Sequence, residues 1–347
     1  MSVTADSVTS DADTDRTGRA GGPDTSEGVS GFSEMTQRVL AGQLPYEPDS
    51  LTGQNEANTA TVAADQTAEP EAATDADSGP DVAVVAGQPW TGGTRRPARV
   101  QERFAANLAA LEVLTTLDQE RRPATEAEQE VLAGWSAWGA LPFVFDDADT
   151  RISETDRARV RELLGPEGWS QARATTLNAH YTDPAVAAAM WDVLDTAGFE
   201  DGAVLEPGCG SGEFLGLAPE GARMVGVEVD QTTARIAAHL HPDQQIHAAG
   251  FEKTVLPEDS FHAVVGNVPF GQFSVTDPTH NAMRHSIHNH FIIKSLRLTA
   301  PGGYVAVMTS TYTMDSQRAT ARREMARYGD LVGAVRLPNG ALQASAG

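Results

Sequence analysis

The tetrapeptide Asn267-Val268-Pro269-Phe270 is the part of the sequence whose chemistry is easiest to interpret, and it directly follows an apolar run at 263–265. An adenine amino group is a poor nucleophile because its lone pair is delocalised into the ring. A site that alkylates it needs two acceptors aimed at the amino hydrogens, and the Asn267 side-chain oxygen and the Val268 carbonyl can supply them. Pro269 stiffens the turn by fixing φ, and Phe270 offers a face on which a base can stack. An ordinary turn with a core phenylalanine would show the same four residues.

A glycine-rich loop upstream is the second candidate site, and it follows the apolar run 203–205. Glycines permit positive φ and let a ligand approach the backbone closely, and loops at the carboxyl ends of strands bind ligands in open α/β sheets. The acid before the loop can pair with a cationic amino group, and the acid that ends the next strand can accept hydrogen bonds from ribose hydroxyls. A dinucleotide site or a structural turn stays open on this motif alone. The candidate residues are Glu206, Gly208, Gly210, Gly212 and Glu228.

These two loops must be positioned by a sheet, and the sequence from about Thr175 onward alternates helical and short apolar strand patterns. Such alternation predicts an α/β sandwich with a largely parallel sheet and helices on both faces. One helix is expected to begin after the cap Asp183, with Pro184 in its first turn, and to end before Gly198. Strands are predicted at 203–205, 224–227, 246–248, 263–265, 304–309 and 331–335.

Residues 95–170 are predicted to form a helical extension that packs against the following domain. Apolar residues recur at helical spacing between 104 and 114. A second helix is expected to start at Thr125, with Glu128 completing a capping box. Nothing in this stretch has the pattern of a catalytic site.

Residues 1–94 carry 16 acidic and three basic side chains, and few aromatics, so this segment cannot bury enough apolar surface to offset its chain entropy. We therefore predict a disordered acidic tail. The formal net charge of the chain is −23, whereas residues 281–347 carry eight basic and three acidic side chains. Net charge by segment is the better guide to partners, and the basic end could approach phosphates.

The sequence has a single cysteine, Cys209, which excludes an internal disulfide framework and fits a reducing compartment. The first residues lack the pattern of a signal peptide. No apolar run approaches the roughly 20 residues that span a bilayer. These observations predict a soluble, cytoplasmic protein without a membrane partner.

Taken together, the glycine loop from Glu206 to Gly212 and the tetrapeptide at 267–270 resemble the motifs of adenine-N6 DNA methyltransferases. The resemblance implies a Rossmann-like class I methyltransferase domain over 171–347, S-adenosyl-L-methionine as cofactor, and a flipped adenine in DNA as acceptor. Residues 178–184 are similar to the motif that this family places before the cofactor loop, and 249–252 to the motif after the third strand, where Gly250 replaces the usual Asp. The further cofactor-binding residues implied are Tyr181, Thr182, Phe214 and Phe251.

A narrower resemblance is to the N-terminal methylase module of phage- and plasmid-type methyltransferase–helicase antirestriction proteins. Its cues lie at 135–139, 266–271 and 335–340. It implies a helicase or target-recognition domain in another chain as a partner. In such modules the sheet continues beyond the equivalent of Gly347. This leaves open that the methyltransferase domain predicted over 171–347 is truncated.

Alternative functions share the Asn-x-Pro-aromatic chemistry and stay open. They are adenine methylation in ribosomal RNA, glutamine methylation of a protein, and a non-catalytic module that binds the donor or DNA.

Two clusters of side chains accompany the motifs. Four histidines after the tetrapeptide are expected on a flexible loop over the target-base pocket, with His290 and Phe291 at the start of the next helix. No metal is expected there, because no Cys or paired carboxylate completes a ligand set. Several arginines could contact phosphates, three of them on one helix face, although a solvated face explains them equally well. The residues are His280, His285, His288 and His290, and Arg284, Arg318, Arg322, Arg323 and Arg327.

Overall fold

The computed structural model describes residue 82 and residues 86–93, 96–176 and 181–337. The predicted disordered tail therefore falls almost wholly outside the described residues, as do residues 178–180 and 338–340 of the sequence motifs. No helix within the described ranges is long and apolar enough to cross a membrane.

Five parallel strands form one sheet in the order β3-β2-β1-β4-β5. The α/β prediction is confirmed, together with five of the six predicted strands, each slightly longer than predicted. The strands are β1 Gly202–Pro207, β2 Ala222–Glu228, β3 Gln245–Ala248, β4 Phe261–Asn267 and β5 Thr299–Met308.

The sixth predicted strand, at 331–335, is wrong. These residues are irregular and exposed, and Val332 is 88% exposed. A short apolar run becomes a strand only where a neighbouring strand accepts its backbone hydrogen bonds. The described residues provide no such neighbour for this segment.

Nine α-helices and one 3₁₀-helix, at Pro142–Phe145, occur among the described residues. Both predicted caps are confirmed: Thr125 and Glu128 form a capping box, and Asp183 accepts from the amide of Ala185. The α-helices are α1 Val100–Glu120, α2 Glu126–Leu132, α3 Glu154–Thr175 with a kink at Gly165, α4 Pro184–Ala197, α5 Glu213–Gly216, α6 Gln231–Leu240, α7 Ile287–Leu298, α8 Tyr312–Asp315 and α9 Thr320–Met325.

Alternate residues of the strands serve opposite faces of the sheet. Val204 packs with side chains from α4 and α6 on one face, whereas Leu205 packs with Phe291 of α7 on the other. The helices before α4 build a separate aromatic-rich cluster around Trp135 and Trp138, and that cluster also includes Ile236 and Leu240 of α6. The helical region therefore packs against the sheet domain through α6.

In the sheet, β1 has β2, the next strand in the chain, on one side and β4 on the other. The strand order therefore reverses between β1 and β4. Open α/β sheets bind ligands in the crevice outside the carboxyl ends of the strands at such a point. The glycine loop leaves β1 there, and the tetrapeptide begins at the end of β4. The fold thus places both sequence motifs at one edge of the sheet.

Candidate active site

The glycine loop is held against the end of β2 by backbone hydrogen bonds. The amides of Gly208 and Cys209 donate to the carbonyl of Val227 at 2.7 and 3.0 Å. Gly208, Gly210 and Gly212 all have positive φ, at 77°, 56° and 93°. A side chain in this region of backbone space costs about 1–2 kcal/mol, so this loop shape requires its glycines.

Gly212 has a second reason to lack a side chain. A Cβ at this position would overlap the imidazole of His241, which directly follows α6. Burial lowers the pKa of His241 to about 4, although hydrogen bonds with the backbone of Ser211 and Gly212 act in the opposite direction. The His241 ring thus packs against the glycine loop at Gly212 and supports it. The sequence motifs do not identify His241, because it comes from a different helix and has no fixed spacing to the loop.

Glu228 ends β2 at the rim of the glycine loop. Its Oε2 accepts from the Gly210 amide at 2.9 Å and its Oε1 from the Asp230 amide at 2.8 Å. Burial raises the pKa of the carboxyl to about 7 despite these hydrogen bonds. The predicted ribose acceptor therefore lies beside the loop, and its contact with a ribose stays a prediction.

Glu206 lies near the end of β1, directly before the glycine loop, and is 2% exposed. Burial raises the pKa of its carboxyl well above the usual range, with further contributions from Glu213 and Glu228, although the amides of Leu215 and Phe214 donate to it. Its Oε2 is buried without a hydrogen-bond partner. An orphaned acceptor of this kind fits a donor that carries a cationic amino group, because the charge would stabilise the ionised carboxylate.

Two predicted cofactor residues have aromatic side chains that are covered by protein. Phe214 is 1% exposed and packs in the core beside Trp191, and its contact with a donor stays a prediction. Phe251 is 2% exposed, and its ring lies 4.9 Å from that of Phe291. Lys294 Nζ donates to the Phe251 carbonyl at 2.5 Å. Packing of Phe251 on a donor adenine stays a prediction.

Tyr181 and Thr182, the residues implied for the methionine end of the donor, lie just before α4. Tyr181 borders the loop, since a Cβ on Gly210 would meet its ring at 3.4 Å, and burial raises the pKa of its hydroxyl. Thr182 is buried. Arg96, which the sequence analysis did not single out, stacks on the Tyr181 ring with 3.7 Å between its Cζ and the ring centroid.

The tetrapeptide lies beside the glycine loop. Asn267 is the last residue of β4 and pairs in register with Met308 of β5, whose carbonyl accepts from the Val268 amide at 3.1 Å. The Asn267 carbonyl oxygen lies 4.0 Å from the position that a Cβ on Gly208 would take. Val268 is buried, whereas Pro269 and Phe270 are only half-buried. The structure therefore brings the two predicted loops into contact and keeps Phe270 out of the core.

The loop after the tetrapeptide is organised by Asp277. Its carboxylate accepts from the amides of Thr279 and His280 at 3.1 and 2.9 Å, and its Oδ2 lies 3.0 Å from His290 Nε2 and 3.4 Å from Lys294 Nζ. Burial alone would raise the pKa of Asp277, but the His290 and His280 hydrogen bonds and the Lys294 charge lower it to about 2. This buried ionic network fastens the loop to α7.

The helix that was predicted to open at His290 and Phe291 begins earlier, at Ile287, so the prediction that His288 lies on the loop is wrong. His288 and His290 are buried residues of α7. His285 Nε2 lies 2.7 Å from Glu324 Oε2, which ties the loop to α9. Within the described ranges, no three His, Cys, Asp or Glu side chains are arranged to hold a metal ion.

The arginines near the end of the chain have different roles. Arg318 precedes α9, so the predicted helix face shared by Arg318, Arg322 and Arg323 is wrong. Arg322 donates to the carbonyls of Thr313 and Ser316 and stabilises the turn between α8 and α9. In contrast, the other four arginines singled out in the sequence are exposed on the loop after β4 or on the segment after β5: Arg284, Arg318, Arg323 and Arg327.

Residues 205–307, from β1 through most of β5, match the family described as "Methyltransferase domain". Over 178 residues the chain is 31% identical to Defense against restriction protein B of Escherichia phage P1; the match covers 49% of this chain and 8% of that protein. Among solved structures, the methyltransferase subunit of a type I restriction-modification system from Streptococcus thermophilus is similar, with 15% identity, a TM-score of 0.36, and coverage of 64% of this chain and 59% of that one. A protein from Listeria monocytogenes described as a class I S-adenosylmethionine-dependent methyltransferase is similar, with 14% identity, a TM-score of 0.37, and coverage of 66% and 77%.

The matches confirm the resemblance to S-adenosylmethionine-dependent methyltransferases that was predicted from the two motifs. They support S-adenosylmethionine as the cofactor. The chain spans only a small part of the phage protein, so the activity of that whole protein does not transfer to this chain.

Proposed function

We propose that this chain transfers the methyl group of S-adenosylmethionine to the N6 amino group of an adenine in DNA. One observation carries the proposal. The glycine loop after β1 and the Asn267 tetrapeptide after β4 lie side by side at the point where the strand order reverses, and the Asn267 carbonyl oxygen is 4.0 Å from the position that a Cβ on Gly208 would take. A donor bound on the first loop and an acceptor bound at the second would be neighbours.

The donor side would be formed by the loop 208–212 with the carboxylates of Glu206 and Glu228. S-adenosylmethionine, when bound, supplies a methyl group that is already activated on a sulfonium centre. Glu206 would face its cationic amino group, and Glu228 would accept hydrogen bonds from the ribose hydroxyls. Tyr181 and Thr182 would border its methionine part, and Phe251 would pack near its adenine.

The acceptor side would be formed by the tetrapeptide. The Asn267 side-chain oxygen and the Val268 carbonyl would accept the two hydrogens of the target amino group and draw the nitrogen toward a nucleophilic geometry. In such a transfer the nitrogen–carbon bond would form as the sulfur–carbon bond of the donor breaks, and the surplus amino proton would leave to solvent. Pro269 fixes the turn, and Phe270 would stack on the base. Positioning and electrostatics carry this reaction, so the chain needs no covalent nucleophile.

The acceptor must leave the duplex before it can reach the tetrapeptide, because its amino group is otherwise paired. The exposed arginines that follow β4 and β5 support a polyanionic acceptor, since phosphate contacts dominate nucleic-acid affinity. DNA is favoured over ribosomal RNA or a protein glutamine by the motif at 178–184 and by the antirestriction relative. A target-recognition or helicase domain is the further partner proposed.

The test measures transfer of a labelled methyl group to three acceptors: unmethylated genomic DNA, ribosomal RNA, and a release-factor protein. Label in DNA that elutes as N6-methyladenine after nuclease digestion supports the proposal. Label in RNA or protein instead, or donor binding without transfer to any acceptor, would contradict it.

A further inference from the structure

The segment that precedes α1, of which Val82 and residues 86–93 and 96–99 are described, contacts β3, α6 and the glycine loop. The amide of Val82 donates to the Ile246 carbonyl of β3 at 3.0 Å, and the amide of Trp90 donates to the Leu240 carbonyl of α6 at 2.8 Å. Gln129 of α2 donates to the Gln88 carbonyl at 2.7 Å. These anchors make the segment part of the sheet domain, although it lies far before the glycine loop in sequence.

Arg96 of this segment reaches the glycine loop. Its Nη2 lies 3.1 Å from Glu213 Oε2 and 3.4 Å from Ser211 Oγ, and its guanidinium covers the Tyr181 ring. The side chain is 10% exposed, and its Nε is buried without a hydrogen-bond partner. A buried guanidinium with a free donor is costly unless another acceptor completes its hydrogen bonding. Arg96 therefore has spare hydrogen-bonding capacity beside the loop.

The charge of the site indicates which chemical group would accept this hydrogen bond from Arg96. The donor side contains the carboxylates of Glu206, Glu213 and Glu228, and these suit the cationic groups of S-adenosylmethionine. The same molecule ends in a methionine carboxylate, which these acidic side chains would repel. Arg96 is a cation placed directly on this loop, and its planar guanidinium matches a carboxylate with paired hydrogen bonds.

We propose that Arg96 binds the methionine carboxylate of the donor. The proposal rests on the proposed function for its choice of ligand. It adds the segment before α1 to the donor site, so that donor binding depends on residues outside the matched methyltransferase domain at 205–307.

The test compares two ligands by calorimetry: S-adenosylhomocysteine, which has the amino-acid part, and 5′-methylthioadenosine, which lacks it. Arg96→Gln is expected to weaken S-adenosylhomocysteine binding about tenfold or more, as for the loss of a charged hydrogen bond, and to leave 5′-methylthioadenosine binding unchanged. The control is Arg99→Gln, because Arg99 is a neighbouring arginine that is 83% exposed; it is expected to change neither affinity. Equal losses for both ligands, or no loss for either, would overturn the proposal.

Glu213→Gln separates binding from support of the loop. If Arg96 acted only by holding Glu213, this variant would reproduce the ligand-selective loss; under the proposal it does not. Should Arg96→Gln fail to fold, the wild-type protein gives the same answer, since the proposal expects decarboxylated S-adenosylmethionine to bind about tenfold more weakly than S-adenosylmethionine. Equal binding of those two would overturn it. A wild-type protein that binds no adenosine ligand contradicts the proposed function itself, whereas binding without methyl transfer leaves the Arg96 comparison decisive.

Discussion

The two halves of the candidate site differ in charge and in construction. The donor side, at the ends of β1 and β2, is acidic, and its loop is held by hydrogen bonds from β2 and by the His241 ring. The acceptor side, at the ends of β4 and β5, carries exposed arginines, and its loop is fastened by the buried carboxylate of Asp277.

This division agrees with the charges of the proposed ligands. S-adenosylmethionine has a net positive charge, and DNA is a polyanion. The net charge of −23 over the whole chain would argue against a nucleic-acid partner, but much of that charge lies in residues 1–94. The local charge at each loop is therefore more informative than the total.

The largest expected effect comes from Asn267→Ala, which removes an acceptor from the acceptor side alone. Removal of one preorganised hydrogen-bonding group typically costs on the order of 10²–10³-fold in kcat. We expect such a loss of methyl transfer, with S-adenosylhomocysteine affinity unchanged by calorimetry. Gln272→Ala, an exposed change in the same loop, is the control and should retain activity. A parallel loss of S-adenosylhomocysteine affinity in Asn267→Ala would contradict the separation of the site into a donor side and an acceptor side.

The next effect is expected from Gly212→Ala on the donor side. The new Cβ would overlap His241 and would also require a side chain at a φ of 93°. We expect donor affinity to fall about tenfold or more, together with a lower melting temperature. Gly302→Ala is the matched control, because Gly302 has a φ of 84° and nothing within 4 Å of the added Cβ. The control should cost only about 1–2 kcal/mol of stability; equal donor affinity in the two variants would show that the His241 contact is irrelevant.

A smaller effect concerns pH. Because the pKa of Glu228 is raised to about 7 and, under the proposal, a ribose hydroxyl would donate to the ionised form, donor affinity should increase about tenfold between pH 6 and pH 8. Asp230, Tyr181 and Glu206 also contribute to the field at this carboxyl. Glu228→Gln should bind more weakly at pH 8 and show a flat profile. A wild-type profile as flat as that of the variant would contradict this role.

The same shift affects stability with a defined sign. The folded-state pKa of Glu228 exceeds its ordinary value of 4.5, so its stabilising contribution is fully present below about pH 4.5 and is lost as the pH rises through about 7. Thermal unfolding of the ligand-free wild type and of Glu228→Gln across this range should show the difference.

The smallest effect is expected from Arg323→Gln on the acceptor side. Loss of one phosphate contact should weaken DNA binding several-fold and lower the slope of log affinity against log salt by about 1. Arg223→Gln is the control, since Arg223 is exposed near the amino end of β2, at the opposite edge of the sheet. Identical salt slopes for the two variants would contradict the proposal that the acceptor-side arginines contact DNA.

Both loops of the candidate site were predictable from the sequence, whereas part of their surroundings was not. Five strands and the caps at Thr125 and Asp183 were predictable because periodicity and capping are local. The segment 331–335 was misinterpreted as a strand. It has the composition of a strand, but whether a partner strand is present depends on distant parts of the chain.

The amino-acid sequence by itself determined that a glycine loop and an Asn-x-Pro-Phe turn follow strands of a parallel sheet, because strand patterns and turn residues act over a few positions. Only the tertiary structure decided that the two loops touch, that His241 supports one of them, and that Arg96 reaches Ser211 across 115 positions. Contacts of this kind are created when separate elements pack together, and residues that meet through packing need no fixed spacing in the chain.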